Sequence, residues 1–171
     1  MKVYLDNVIV CGRVRNDLDP IEVAAVRRME AAKDGGQLNI VTSRESWREQ
    51  DRTKDQALRS QFHQDRPNVP VVTDDHRVLG IHNSQDHLGG FSVCPLVTEV
   101  VDEELLRELK RAGLKDADAR HLMYATHNTC DRFVTTDPHF LDQRADLEAL
   151  CRGVLIRKPS ELAAELAAMG N

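Results

Sequence analysis

Residues 115–140 read KDADARHLMYATHNTCDRFVTTDPHF, and the periodicity of the chain changes once within them. Ala119, Leu122, Met123 and Thr126 recur at i, i+3, i+4 and i+7, the apolar stripe of an amphipathic helix. The helical pattern runs out at His127-Asn128. Phe133-Val134-Thr135 then reads as a short buried strand ending at Asp137. Asp118 lies on the shoulder of the helical stripe, one turn before Leu122. A carboxylate turned partly toward a core is costly unless it is paired or binds a metal. Ligands of open α/β sheets bind beyond the carboxyl ends of the strands, which puts Asp137 where chemistry would occur.

Outward from this stretch the chain keeps alternating. Residues 2–11 form an apolar run broken only at Asp6-Asn7, expected as a strand buried on both faces of a parallel sheet. Asp6 itself reads either as a strand-end turn former or as a functional acid. Asp19-Pro20-Ile21-Glu22 is a helix start, with Asp19 as N-cap, Pro20 at the first position and Glu22 completing a box-like cap; Gly35-Gly36 ends it. Residues 38–41 predict a second strand. Thr42-Ser43-Arg44-Glu45 matches a capping box, which occupies Glu45 and leaves Glu49, one turn on, without a structural task. Arg44, Arg48 and Arg52 recur at i, i+4 and i+8. They read either as holders of a phosphate backbone or as a solvated face of Glu–Arg pairs.

The stretch from about 60 to 100 is expected to be an irregular insertion, with short strands at 69–73, 78–82 and 91–96. His76, His82 and His87 there match no zinc spacing and are expected in an exposed polar loop. Asp102-Glu103-Glu104 opens a helix that stops at Gly113. Residues 154–156 predict a last strand, and Pro159-Ser160-Glu161 starts an alanine-rich terminal helix. Strands alternating with helices in a chain of 171 residues predict one α/β/α domain over residues 1–171, around a mainly parallel sheet.

Composition narrows the function. A net charge of −5 and 4% aromatics argue against a general nucleic-acid binder, unless the acids surround a divalent cation that reverses their local field. Cys11, Cys94, Cys130 and Cys151 have neither a CxxC pair nor zinc spacing, which fits a reducing compartment. No signal peptide or long apolar run is present, so a soluble, cytoplasmic protein without membrane contact is expected. No nucleophile stands beside a base, so covalent catalysis is unsupported. His121 is expected to pack or to support a neighbour rather than to catalyse.

If the elements share one sheet, Asp6, Glu49, Asp118 and Asp137 face the same edge. Four packed carboxylates repel one another and raise their pKa values unless a cation compensates. All-oxygen donors select Mg²⁺ or Mn²⁺, which can activate water and support in-line displacement at a phosphate.

These residues resemble a known family. Val3-Tyr4-Leu5-Asp6, Thr42-Ser43 with Glu49, Asp118-Ala119-Arg120-His121-Leu122 and Phe133-Val134-Thr135-Thr136-Asp137 are similar to the PIN-domain signature, over roughly residues 1–55 and 114–158. The resemblance implies an α/β/α fold and Mg²⁺- or Mn²⁺-dependent cleavage of RNA. It implies Asp6, Asp118 and Asp137 as metal ligands, and Glu49 as a fourth catalytic acid that binds through water or orients the nucleophile. Thr136 would be a hydroxyl beside the site. Many members are ribonuclease toxins, homodimeric and held by an antitoxin. In this chain Asn7 follows Asp6 at once, where the family often has a hydroxyl residue first. Asn7, Arg44, Arg48 and Thr136 are the residues expected at the substrate, with Arg13, Arg15 and Arg52 as further basic groups. Two other readings stand beside this one. The first is a PIN-like module that binds RNA or protein without cutting. The second is a phosphatase or phosphoaspartate receiver, against which Val8 counts by breaking a DxD motif at 6–8.

Overall fold

The computed structural model describes residues 1–72 and 100–169, and between them the backbone of two short strands, 76–78 and 96–98. Strand β1 (Lys2–Leu5) is followed by helices α1 (Asn7–Arg15) and α2 (Pro20–Asp34), then by β2 (Asn39–Val41), α3 (Arg44–Asp51) and α4 (Gln56–Asp65). Strands β3 (His76–Val78) and β4 (Leu96–Thr98) pair antiparallel in a separate two-stranded ribbon. Helices α5 (Glu103–Arg111) and α6 (Asp116–His127) lead to β5 (Arg132–Val134). The short α7 (Pro138–Leu141) and α8 (Arg144–Leu150) precede β6 (Leu155–Arg157) and α9 (Pro159–Met169). The main sheet runs β2-β1-β5-β6, and every pairing in it is parallel.

Side chains alternate across this sheet and feed two separate cores. Tyr4, Val41, Phe133 and Ile156 point to one face, where they meet Leu105 and Leu109 of α5, Leu122 and Met123 of α6 and Leu147 of α8. Val3, Leu5, Ile40 and Val134 point to the other, against Ile9 of α1, Val26 and Met29 of α2 and Leu162 of α9. The fold is therefore α/β, with helices covering both faces of a parallel sheet, as the buried character of the strands predicts. Glu22 does not complete the cap of its own helix. It accepts from the N–H and Oγ of Ser160 at 2.8 Å each, tying α2 to the start of α9. Asp19 caps α2 as expected, accepting from the N–H of Ile21.

Further expectations fail, each for an identifiable reason. The strand expected over 2–11 stops at Leu5, because Asp6 N-caps a helix instead: its Oδ1 accepts from the N–H of Asn7 at 2.7 Å. Val8-Ile9-Val10 has strand propensity, but burial of Ile9, Val10 and Cys11 against the sheet outweighs it. The capping box at Thr42 does not form. Ser43 occupies the cap position without a side-chain cap bond, the Thr42 hydroxyl donates to the Leu5 carbonyl at 3.0 Å, and Glu45 is buried with Arg48 at 3.1 Å. The stretch after residue 55 begins as a regular helix, α4, whose Asp55 cap and buried Phe62 build it against α1. Beyond it, Val71 makes one parallel bridge with Thr42 where a strand at 69–73 was expected. The strands expected at 78–82 and 91–96 meet β3 and β4 only at Val78 and Leu96, and otherwise lie outside the described residues. Cys94, His82, His87 and the side chain of His76 do so too.

Candidate functional site

Chain order reverses between β1 and β5: from β1 the chain moves to β2 on one side and later returns to β5 on the other. A crevice at such a point, beyond the strands' carboxyl ends, is the usual ligand position in this architecture. Here it is a cleft of about 190 Å³ lined by Asp6, Asn7, Val8, Cys11, Arg15, Glu49, Asp118 and Asp137. All four acids expected to face one edge are in it. They come from four places: the end of β1, the second turn of α3, the first turn of α6 and the cap of α7.

Asp6 is the fixed member. It is 5% exposed, its backbone N–H donates to the Val134 carbonyl at 3.0 Å, and its Oδ2 accepts from Thr135 Oγ1 at 2.6 Å. Burial pushes its carboxyl up to about 6, and the Glu49 charge adds to the rise; His121, the Thr135 hydroxyl and the Asn7 N–H pull against it. Asp137 N-caps α7, its Oδ1 accepting from the N–H of His139 at 2.8 Å, while its own N–H donates to Thr135 Oγ1 at 2.9 Å. Thr135 thus links two of the acids. Thr136, expected as a hydroxyl beside the site, is half-buried and is not among the residues that line the cleft. Asp118 is half-buried, and its carboxyl sits above the ordinary range because of burial first, then the charges of Asp137 and Glu49. Three carboxylates therefore feel one another across the cleft.

Glu49 is held from behind. Its Oε2 meets His121 Nε2 at 3.0 Å, and His121 Nδ1 meets the Tyr4 hydroxyl at 2.7 Å. The Tyr4 hydroxyl in turn donates to Ser43 Oγ at 2.6 Å. His121 is 1% exposed. Burial opposes charging of its ring, but the Glu49 bond and the charges of Asp6, Glu49 and Glu45 win, and the pKa stands above the ordinary imidazole value. An imidazolium supplies both donors, to Tyr4 and to Glu49. Tyr4 also stacks on Phe133, with centroids 5.5 Å apart, and Phe133 packs on Phe140 at 4.8 Å. An aromatic floor therefore lies under the acids.

The expected substrate residues divide. Asn7 lines the cleft, but its Oδ1 accepts from Cys11 Sγ at 3.2 Å and Gln50 Nε2 at 3.3 Å, which bind it to the scaffold. Arg44 and Arg48 are outside the cleft lining, and Arg48 pairs with the buried Glu45. Arg13 turns to Glu30 and Asp65. Arg15 is the basic residue that lines the cleft, with its Nε on Asp17 at 2.9 Å. Asn7, Cys11 and Arg15 stand at i, i+4 and i+8, so reading 7–15 as a helix would have placed Arg15 beside Asp6. Trp47 packs under Arg66, whose guanidinium lies 5.2 Å from its ring centroid. Cys11, Cys130 and Cys151 are buried and free, and burial pushes each thiol up to about 11, so none of them supplies a thiolate.

No family model, curated protein or solved structure matches this chain. The chemistry therefore rests on the cleft itself. Its donors are carboxylate oxygens, the set a hard divalent cation takes, and their mutual repulsion is of the kind such a cation relieves. Among the described residues no three His, Cys, Asp or Glu side chains converge closely enough to grip an ion as they stand. The acids line the cleft without closing on one point. Among the described residues, no helix is long and apolar enough to cross a membrane.

Proposed function

We propose that this chain is a PIN-like phosphodiesterase that hydrolyses RNA with Mg²⁺ or Mn²⁺ held by Asp6, Asp118 and Asp137. The observation that carries the reading is the gathering of four acids from four separate elements at the switch point of a parallel sheet. A bound ion would lower the pKa of a water and stabilise charge on the phosphate. The residues around it have separable tasks. Thr135 and the Asn7 N–H hold the two oxygens of Asp6, each of which keeps a lone pair free. The His139 N–H fixes Asp137. Glu49, anchored through one oxygen by His121, orients the attacking water and accepts its proton. Arg15 at the rim draws the phosphate in. The toxin role, the antitoxin partner and the homodimer are expectations of the resemblance alone.

A module that binds RNA without cutting is the second reading, favoured by acids that line the cleft without converging. One experiment separates the two. Wild type and Asp118→Asn are incubated with a mixed RNA pool in Mn²⁺, Mg²⁺ or EDTA. The hydrolase reading expects metal-dependent cutting that falls by about 100-fold or more in the variant. Absence of cutting with either metal, or undiminished cutting by Asp118→Asn, sinks it and favours the binding module.

A further inference from the structure

We infer that His121 is the positioning residue for Glu49: by bridging Tyr4 and Glu49 across the floor of the cleft, it fixes the carboxylate that orients the attacking water. The inference rests on the hydrolase reading and adds to it a residue that contacts neither the ion nor the substrate.

Four side chains form one line from the core to the cleft: Ser43 at the cap of α3, Tyr4 in β1, His121 in α6 and Glu49 in α3. The inner end is rigid. Tyr4 is fully buried, bonded to Ser43 at 2.6 Å and stacked on Phe133. The imidazole edge meets Tyr4 with centroids 5.9 Å apart and planes at 66°, so the ring is located by packing as well as by its nitrogens. At the outer end Glu49 keeps about a quarter of its side chain exposed. A partly exposed glutamate has several rotatable bonds and disperses unless something holds it. Among the described residues, His121 is the group that does. The bond engages Oε2 and leaves Oε1 for the water.

Packing alone does not account for an imidazole here. The preceding and following turns of α6 fill the same core with Ala119, Leu122 and Met123, and a buried polar ring is tolerated only when its nitrogens are satisfied. Both are satisfied, one by the scaffold and one by a cleft acid. That division of contacts is how a supporting side chain orients a reacting one.

The two ring nitrogens can be tested separately, because asparagine places its amide near Nδ1 and glutamine near Nε2. The measurement is kcat and KM for Mn²⁺-dependent cleavage by His121→Asn, His121→Gln, Glu49→Ala and the double variant His121→Asn/Glu49→Ala. His121→Asn keeps the Tyr4 contact, and we expect kcat about 30-fold lower with KM unchanged. His121→Gln restores the Glu49 contact and recovers kcat to within about threefold of wild type. The double variant is no slower than Glu49→Ala alone, since the histidine acts through the glutamate. Equal losses in both histidine variants, or losses that multiply in the double variant, overturn the inference. The ¹⁵N resonance of His121 Nε2 provides a readout that does not need turnover. Glu49→Ala should move it further than Asp118→Asn does. If wild type cuts no RNA, the hydrolase reading falls by itself. In that case a moved resonance keeps His121 as the group that positions Glu49, and an unmoved one removes it.

Discussion

Two acid-lined hollows lie at opposite ends of the sheet, and the smaller one gathers the four acids. The larger, about 660 Å³, is lined by Asp102, Glu104, Glu108 and Asp131 among others, between α5 and the start of β5 and β6. Two of its acids have structural work. Asp102 N-caps α5, accepting from the Leu105 N–H at 2.9 Å, and Asp131 accepts from the Lys2 N–H at 2.6 Å. In the smaller cleft two acids are also caps, yet Asp6 and Asp118 both carry raised pKa values, Asp118 through burial first and then through the charges of its neighbours. Volume does not distinguish a site from a groove. Crowded acids are the better guide, since their mutual repulsion costs stability that a bound cation would return.

The comparison can be broken most directly with matched substitutions. Asp137→Asn keeps an N-cap at α7, because asparagine caps as well as aspartate, so folding survives. RNA cleavage should fall by about 100-fold or more. Asp131→Asn, which also keeps its acceptor, should leave cleavage at the wild-type rate. Equal losses from the two would erase the distinction drawn between the hollows.

A second difference should appear as stability. The carboxyl of Asp6 rises from 3.8 to about 6 on folding, so between those pH values the folded state holds more proton than the unfolded chain. The contribution of Asp6 to stability then falls as pH rises through this window, by about 3 kcal/mol at most, and stays low above it. His121, whose pKa is also raised, acts in the same direction at higher pH, because its stabilisation is lost as its proton leaves. Asp6→Asn should therefore unfold at higher urea than wild type at pH 7.5 in EDTA, and match it near pH 4. Added Mn²⁺ should raise the midpoint of wild type and leave the variant unchanged. An Asp6→Asn variant whose stability changes from pH 4 to 7.5 just as wild type's does would contradict the raised Asp6.

The smallest effect belongs to the larger hollow. Asp102→Ala removes a cap and should cost about 1 kcal/mol in urea unfolding. Cleavage should be untouched. A loss of activity would mean that the two ends communicate.

Much of the site was legible because its acids also punctuate the secondary structure. Asp118 stands in the first turn of a patterned helix, and Asp137 precedes a proline at a helix start. Local rules place such residues without knowledge of the fold. The contacts that orient them were not legible. His121 meets Glu49 across 72 residues of chain, and nothing in either neighbourhood announces the other. Thr135 and Thr136 are equivalent as letters. Only the strand's alternation, set by which face packs inward, turns Thr135 toward Asp6. Residues 7–15 misled for a different reason: their β-branched run has the composition of a strand, and tertiary burial made it a helix.

The hydrogen bond from Thr135 to Asp6 spans 129 positions. At about 10 residues per second, a ribosome needs on the order of ten seconds to pass from one to the other. The last partner of β1 in the sheet, β5, is made in the same late interval. Between residues 49 and 118 the growing chain therefore holds Asp6 and Glu49 but lacks Asp118 and Asp137. The gathering of acids therefore waits for residue 137, which supplies the last of the four.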